Sequence, residues 1–187
     1  MDFDDAYANA KYIPGAAEYP AAWAKAAADF RATASCDLDV RYGASERERF
    51  DLFYPAGQAK GLVVFVHGGY WLRFDKSFWS HFAAGPLAQG WAVAMPSYDL
   101  CPDATIGQIG EQIARAIDCA ASMVAGPIRL TGHSAGGQLV ARMPSLAAQA
   151  DWLARLEKIV PISPVADLRP MMRTSMNNDL ELTEEQA

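Results

Sequence analysis

One serine set between glycines, Gly132-His133-Ser134-Ala135-Gly136, carries the sharpest chemical signal in the sequence. A hydroxyl presented at the tip of a tight turn between a strand and a helix can attack a carbonyl. Small residues two before and two after it keep side chains clear of both neighbouring elements. With this content of Gly and Ser the bare G-x-S-x-G pattern would arise by chance about 0.05 times, so its setting decides. The setting fits: the apolar run IRLT precedes it and the helical pattern GGQLVARM follows. A second motif, His67-Gly68-Gly69-Tyr70-Trp71, directly follows LVVFV, the most apolar run in the chain. Acyl transfer puts negative charge on a carbonyl oxygen, and fixed backbone N–H groups aimed at that oxygen stabilise it. Losing one such donor in a comparable site costs on the order of 3 kcal/mol. Glycine lets the main chain come close and turn its N–H groups inward. Gly69 and Tyr70 are candidates for two donors and Ala135, next after the serine, for a third. Gly68, Gly132 and Gly136 are candidates for shaping the two turns.

These motifs need elements to hold them. GLVVFVHGG, WAVAMPSY, PIRLTGHS and KIVPISPV each contain a short, nearly unbroken apolar run. Such runs suit strands buried on both faces, as in a parallel sheet between helices. Residues 105–125 read as a helix: Ile106, Ile109, Ile113, Ile117, Ala120 and Val124 recur in steps of three and four. Thr105 and Gln108 have capping-box spacing, and Gly126-Pro127 ends the run. Residues 76–89 and 136–149 read as helices shortened or kinked by Pro86 and Pro144. Ahead of these lie a helix over 19–34, with Pro20 in its first turn, and two extended segments, 38–43 and 47–55. In the second, Phe50, Leu52 and Tyr54 alternate with Arg49, Asp51 and Phe53, the pattern of a sheet with one wet face. The order predicts an α/β fold with a mostly parallel sheet, an antiparallel start and helices on both faces. Residues 1–36 are expected to form a helical segment packed on a domain spanning 37–187.

Composition narrows the function. Apolar residues make up 51% and charged residues 20% of 187 residues, a globular balance. A formal charge of −6 without a basic block speaks against nucleic acid or an anionic membrane as partner. The acidic start MDFDDAYANAKY lacks the pattern of a secretory signal, and no apolar run is long enough to span a bilayer. Cys36, Cys101 and Cys119 have neither disulfide-framework nor zinc-site spacing, and suit free thiols in the cytoplasm. No cofactor or metal is implied.

HGGYW together with GHSAGG resembles the arylformamidase (kynurenine formamidase) branch of the α/β-hydrolases, near the hormone-sensitive-lipase-like esterases. PSYDLCPDATIGQIGEQIARAID and ISPVADLRPMMRTSMNNDLELTEEQA resemble the corresponding stretches of that family. The resemblance implies a metal-free serine hydrolase of small acyl amides or esters, with Ser134 as nucleophile and His67 as a residue that ties down the oxyanion turn. In this fold the acid and then the histidine follow the serine along the chain. His67, His81 and His133 all precede Ser134. The expectation is therefore that the sequence encodes a nucleophile and an oxyanion hole, that the triad acid and base lie beyond it, and that the chain alone is weak or inactive. The rival reading is a catalytically dead binding or scaffold module.

The other candidates carry plainer expectations. His133 is expected to point away from Ser134, and His81 to be a surface or packing residue. Tyr70 and Trp71 suit either an aromatic wall of the acyl pocket or core packing beneath the loop. Asp99 suits a turn or a helix cap. Asp151, Asp167 and Asp179 follow Ser134 but have no histidine to orient. Glu184 and Glu185 read as a solvated end. Residues 158–165 are expected to form an exposed edge able to associate with another chain, and the tail from Asp167 to lack a packing partner.

Overall fold

A computed structural model describes residues 2–187. Six strands form one sheet in the order β1-β2-β4-β3-β5-β6. They are β1 (Cys36–Arg41), β2 (Arg49–Phe53), β3 (Leu62–Val66), β4 (Ala92–Pro96), β5 (Ile128–His133) and β6 (Leu156–Ile162). The first two run antiparallel to each other and β2 runs antiparallel to β4; the remaining pairs are parallel. The α-helices are α1 (Phe3–Ala6), α2 (Tyr19–Arg31), α3 (Ala84–Ala88), α4 (Ile106–Met123), α5 (Ala135–Leu146) and α6 (Asn177–Leu180).

The unbroken apolar run of β3 has a direct explanation. Leu62, Val64 and Val66 pack into one hydrophobic cluster with α4 and α5, and Val63 and Phe65 into a second cluster on the opposite face. Side chains alternate along a strand, so a strand covered on both faces must be apolar at every position. Ile109, Ile113 and Ile117 of α4 are wholly buried in the first cluster. Each such side chain stabilises the fold by about 2 kcal/mol. The capping box at the start of α4 is formed: Thr105 Oγ1 accepts from Gln108 N–H at 3.2 Å and Gln108 Oε1 from Thr105 N–H at 2.8 Å.

Several expectations need correcting. Residues 76–89 do not form one helix but two 3₁₀ turns, Lys76–Phe78 and Ser80–Ala83, followed by α3. A continuous helix would need an N–H at Pro86 to bond the carbonyl four residues back; as the third residue of α3 the proline needs none. The β2 strand has no wet face either. It lies between β1 and β4, and Asp51 at its centre is only 1% exposed. Lys76 Nζ meets Asp51 Oδ1 at 2.6 Å and Asp39 Oδ1 at 2.8 Å, and Asp39 N–H donates to Asp51 at 2.9 Å. The carboxylate that gave β2 its alternating pattern is thus buried as a partnered charge. The tail from Asp167 also differs from expectation: Leu168, Met171, Leu180 and Leu182 are all buried in the first cluster. The last strand, β6, is an edge as expected, with Val160 41% and Ile162 45% exposed.

Among the described residues, no helix is long and apolar enough to cross a membrane, and no group of three or more His, Cys, Asp or Glu could hold a metal ion. The three cysteines are free.

Candidate active site

Ser134 sits between β5 and α5 with φ 55° and ψ −117°, a conformation L-residues rarely adopt. Its glycine neighbours explain how the turn closes. A Cβ at Gly132 would run into the carbonyl of Gly136, and one at Gly136 into the carbonyls of Val66 and His67. The turn is pinned from the next strand, where Ile162 O accepts from Ser134 N–H at 2.9 Å. At the start of α5 the N–H groups of Ala135, Gly136 and Gly137 have no acceptor within the helix.

The two motifs meet directly. A Cβ at Gly68 would lie 3.0 Å from the Ser134 Cβ and 2.8 Å from the His133 carbonyl, so only glycine lets the loop after β3 approach the serine this closely. That loop is strained: Tyr70, Trp71 and Phe74 have φ values of 55°, 58° and 72°, and Gly69 has 125°. Among the described residues neither Gly69 N–H nor Tyr70 N–H donates a hydrogen bond. The Trp71 carbonyl accepts from Cys101 N–H at 2.8 Å, and the Phe74 carbonyl from Arg47 Nη2 at 2.5 Å.

Tyr70 and Trp71 are both buried in the first cluster, and of the two Tyr70 also borders a cavity. The Tyr70 ring lines a cavity of about 450 Å3 together with Gly68, Gly69, His133 and Ser134. The Trp71 ring points elsewhere and is fully buried in the first cluster. The rest of the wall comes from residues without any chemical signature in the sequence, among them Asn9, Ile13, Trp23, Phe74 and Trp79. Trp23 stacks near Trp79 with ring centroids 5.0 Å apart, and Phe74 meets both edge-on. Trp23 lies on the helix expected over 19–34, whose apolar residues suit packing on the core rather than a substrate role.

His67 is buried against Tyr98, the rings nearly parallel with centroids 4.3 Å apart. Tyr98 O–H donates to the His67 carbonyl at 2.9 Å, and His67 Nδ1–H donates to the Gly68 carbonyl at 2.7 Å. Burial pushes its pKa down to about 4. A neutral ring with that pKa, tied to the loop backbone, is poorly matched to take a proton near pH 7. His133 is exposed at the end of β5 and lines the cavity, and desolvation lowers its pKa. His81 is half-buried in the turn Ser80–Ala83, packs edge-on against Phe82, and has its pKa lowered by burial. Among the described residues, Ser134 Oγ has no hydrogen bond to any of the three.

The acids lie apart from the cavity. Asp99 accepts from Ser45 Oγ at 2.8 Å and from Gln112 Nε2 at 2.6 Å, which ties the loop after β4 to α4. Asp151 and Asp179 are exposed. Asp167 is exposed and pairs with Arg169 at 2.7 Å, whose guanidinium holds the carboxyl at about 2. Glu184 and Glu185 are exposed at the end of the tail.

A central sheet flanked by helices, with a strained serine between strand and helix facing a glycine loop, defines a class, and the chain belongs to it. Residues 63–187 match the family described as alpha/beta hydrolase fold. Within that class it resembles the arylformamidases. It is 33% identical to the kynurenine formamidase of Danio rerio over 157 residues, 80% of this chain and 53% of the relative. Against the kynurenine formamidase of Salmo salar it is 32% identical over 168 residues, 84% of this chain and 55% of the relative. The chain thus spans about half the length of the curated relatives it matches. A crystal structure from Silicibacter sp. TM1040, provisionally described as a thioesterase, superposes with a TM-score of 0.96 at 54% identity, over 100% of this chain and 72% of the other. Esterase B of Lactobacillus rhamnosis shares the fold at 22% identity, with a TM-score of 0.61 over 87% of this chain and 61% of the other.

Proposed function

We propose that the chain carries the nucleophile and oxyanion hole of a serine hydrolase that cleaves small acyl amides or esters, in the manner of an arylformamidase or carboxylesterase. One observation carries this reading: Gly68 packs on the Ser134 Cβ, which brings a serine in a strained turn beside the unbonded N–H groups of Gly69 and Tyr70. Ser134 Oγ attacks the carbonyl carbon and gives up its proton to a base. The carbonyl oxygen takes the negative charge and accepts from Gly69, Tyr70 and Ala135 N–H. The C–N or C–O bond then breaks, the leaving group takes the proton, and water releases the acyl group from Ser134. His67, Gly68, Gly132 and Gly136 shape the two turns, and Tyr70 forms part of the acyl pocket.

The base in this scheme is none of His67, His81 and His133. His67 is tied to Gly68, His81 lies outside the cavity, and among the described residues His133 makes no hydrogen bond to the hydroxyl that would orient it. The same observation favours a second reading, a module that binds acyl compounds without turning them over. The negative charge and the free cysteines fit a cytoplasmic protein acting on small molecules. Hydrolysis of phenyl acetate and formanilide by the 187-residue protein and by Ser134→Ala is the test. The expected turnover is at least about a thousandfold below that of a full-length relative, because removing a triad histidine elsewhere costs on the order of 10⁶. Ordinary enzymatic turnover abolished in Ser134→Ala would show that a base is recruited after all.

A further inference from the structure

Resting on the reading of Gly69 and Tyr70 N–H as oxyanion donors, we propose that residues 3–13 act as a strap that holds those donors in place through the phenol of Tyr70. The Tyr70 hydroxyl is used fully by this segment. It donates to the Tyr7 carbonyl at 3.1 Å and accepts from Asn9 Nδ2 at 3.1 Å. The strap is itself anchored. At its start Asp4 Oδ1 accepts from Ser175 N–H at 2.6 Å, and the Arg173 guanidinium lies 4.4 Å from the centre of the Phe3 ring. Within it, Asp5 pairs with Lys11 and accepts from Tyr12 O–H at 2.6 Å. Asn9, Ala10 and Ile13 of the same segment roof the cavity over Ser134.

The loop needs such a hold. Three non-glycine residues with positive φ cost about 1 kcal/mol or more each, and a strained loop relaxes unless its surroundings over-determine it. The buried Trp71 ring and Arg47 restrain its later part. The ring of Tyr70, which carries a candidate donor, packs in the first cluster, and among the described residues its hydroxyl is held by the strap alone. Tyr70 is therefore a positioning residue: its backbone faces the reacting oxygen, and its side chain is fastened to a segment more than sixty residues earlier in the chain.

Two measurements on the 187-residue protein separate this from the nucleophile reading. The first is hydrogen exchange in Tyr70→Phe and Asn9→Ala. Amide protection should fall about tenfold at Leu72, whose N–H closes the loop onto the Gly69 carbonyl, and in the strap, with α4 and the central strands unchanged, as expected for a local loss of hydrogen bonding. Unchanged protection in both regions would overturn the strap, and so would a loss spread over the whole sheet, which marks a packing residue only. The second is the affinity for phenylboronic acid. Ser134 Oγ adds to boron and releases its proton to solvent, and the tetrahedral adduct presents an oxygen to the same N–H groups. Tyr70→Phe should weaken this binding about five- to tenfold, the size of one compromised hydrogen bond. Equal binding by wild type and Ser134→Ala would sink the nucleophile reading and leave the exchange result to judge the strap.

Discussion

At Gly69, two independent constraints fall on one residue. Its φ of 125° disfavours any side chain, and a Cβ would run into the Arg73 carbonyl. In a form of the protein that turns over, Gly69→Val should lower kcat more than it raises KM, because the N–H contact strengthens as the oxyanion forms. An unchanged kcat would reduce the loop to a structural turn. His67 yields a pH effect of definite sign. Folded, its pKa is about 4 against 6.5 in an exposed chain, so between these values the unfolded state binds more protons. The stabilisation is complete above pH 6.5 and lost as pH falls to 4, up to about 3 kcal/mol. His67→Asn keeps a donor for the Gly68 carbonyl and does not titrate. Its urea midpoint should fall less than that of the wild type between pH 7 and 4, and parallel curves would disprove the assignment. Both motifs were legible in the sequence because acyl chemistry demands glycines at fixed spacings. Asn9 and Trp79 were not, since a side chain that lines a cavity needs no neighbour pattern to do so.

Among the elements, β3, β4, β5 and α4 follow from hydrophobic pattern alone, because burial on both faces of a strand or along one stripe of a helix leaves few other arrangements. The β2 strand shows where this reasoning runs out. Alternation cannot tell a charge facing water from a charge facing a lysine that lies 25 residues away. Lys76→Met removes the partner while Asp51 stays buried and should destabilise the fold by about 3–5 kcal/mol. Adding Asp51→Leu should recover much of that loss, since the uncompensated charge goes with it. Chemical denaturation of the single and double variants checks both statements. A single variant as stable as wild type would mean that water reaches Asp51. The 3₁₀ breaks over 76–83 were hidden for a similar reason: the proline that forbids a long helix does not dictate which short turns replace it.

At the scale of the whole sheet, β6 is the outermost strand among the described residues, and Val160 and Ile162 there stand more than 40% exposed. Such an edge is a template for another strand. In light scattering the 187-residue protein should grow with concentration, and Ile162→Lys should keep it monodisperse; a wild-type monomer at high concentration would show that Pro161 protects the edge sufficiently. The burial of Leu168, Met171, Leu180 and Leu182 was not legible in the sequence. Short apolar contacts spaced along an irregular tail give no period to read, and only the assembled first cluster provides the surface they cover.

The pairing of Trp23 with Trp79 has a practical consequence. Two indoles whose centroids lie 5.0 Å apart share their excited states, and both face the cavity that holds Ser134. The molecule therefore carries its own optical gauge. A ligand lodged against these two rings should change the coupling, and near-ultraviolet dichroism then registers occupancy without a label, a chromogenic substrate or any turnover.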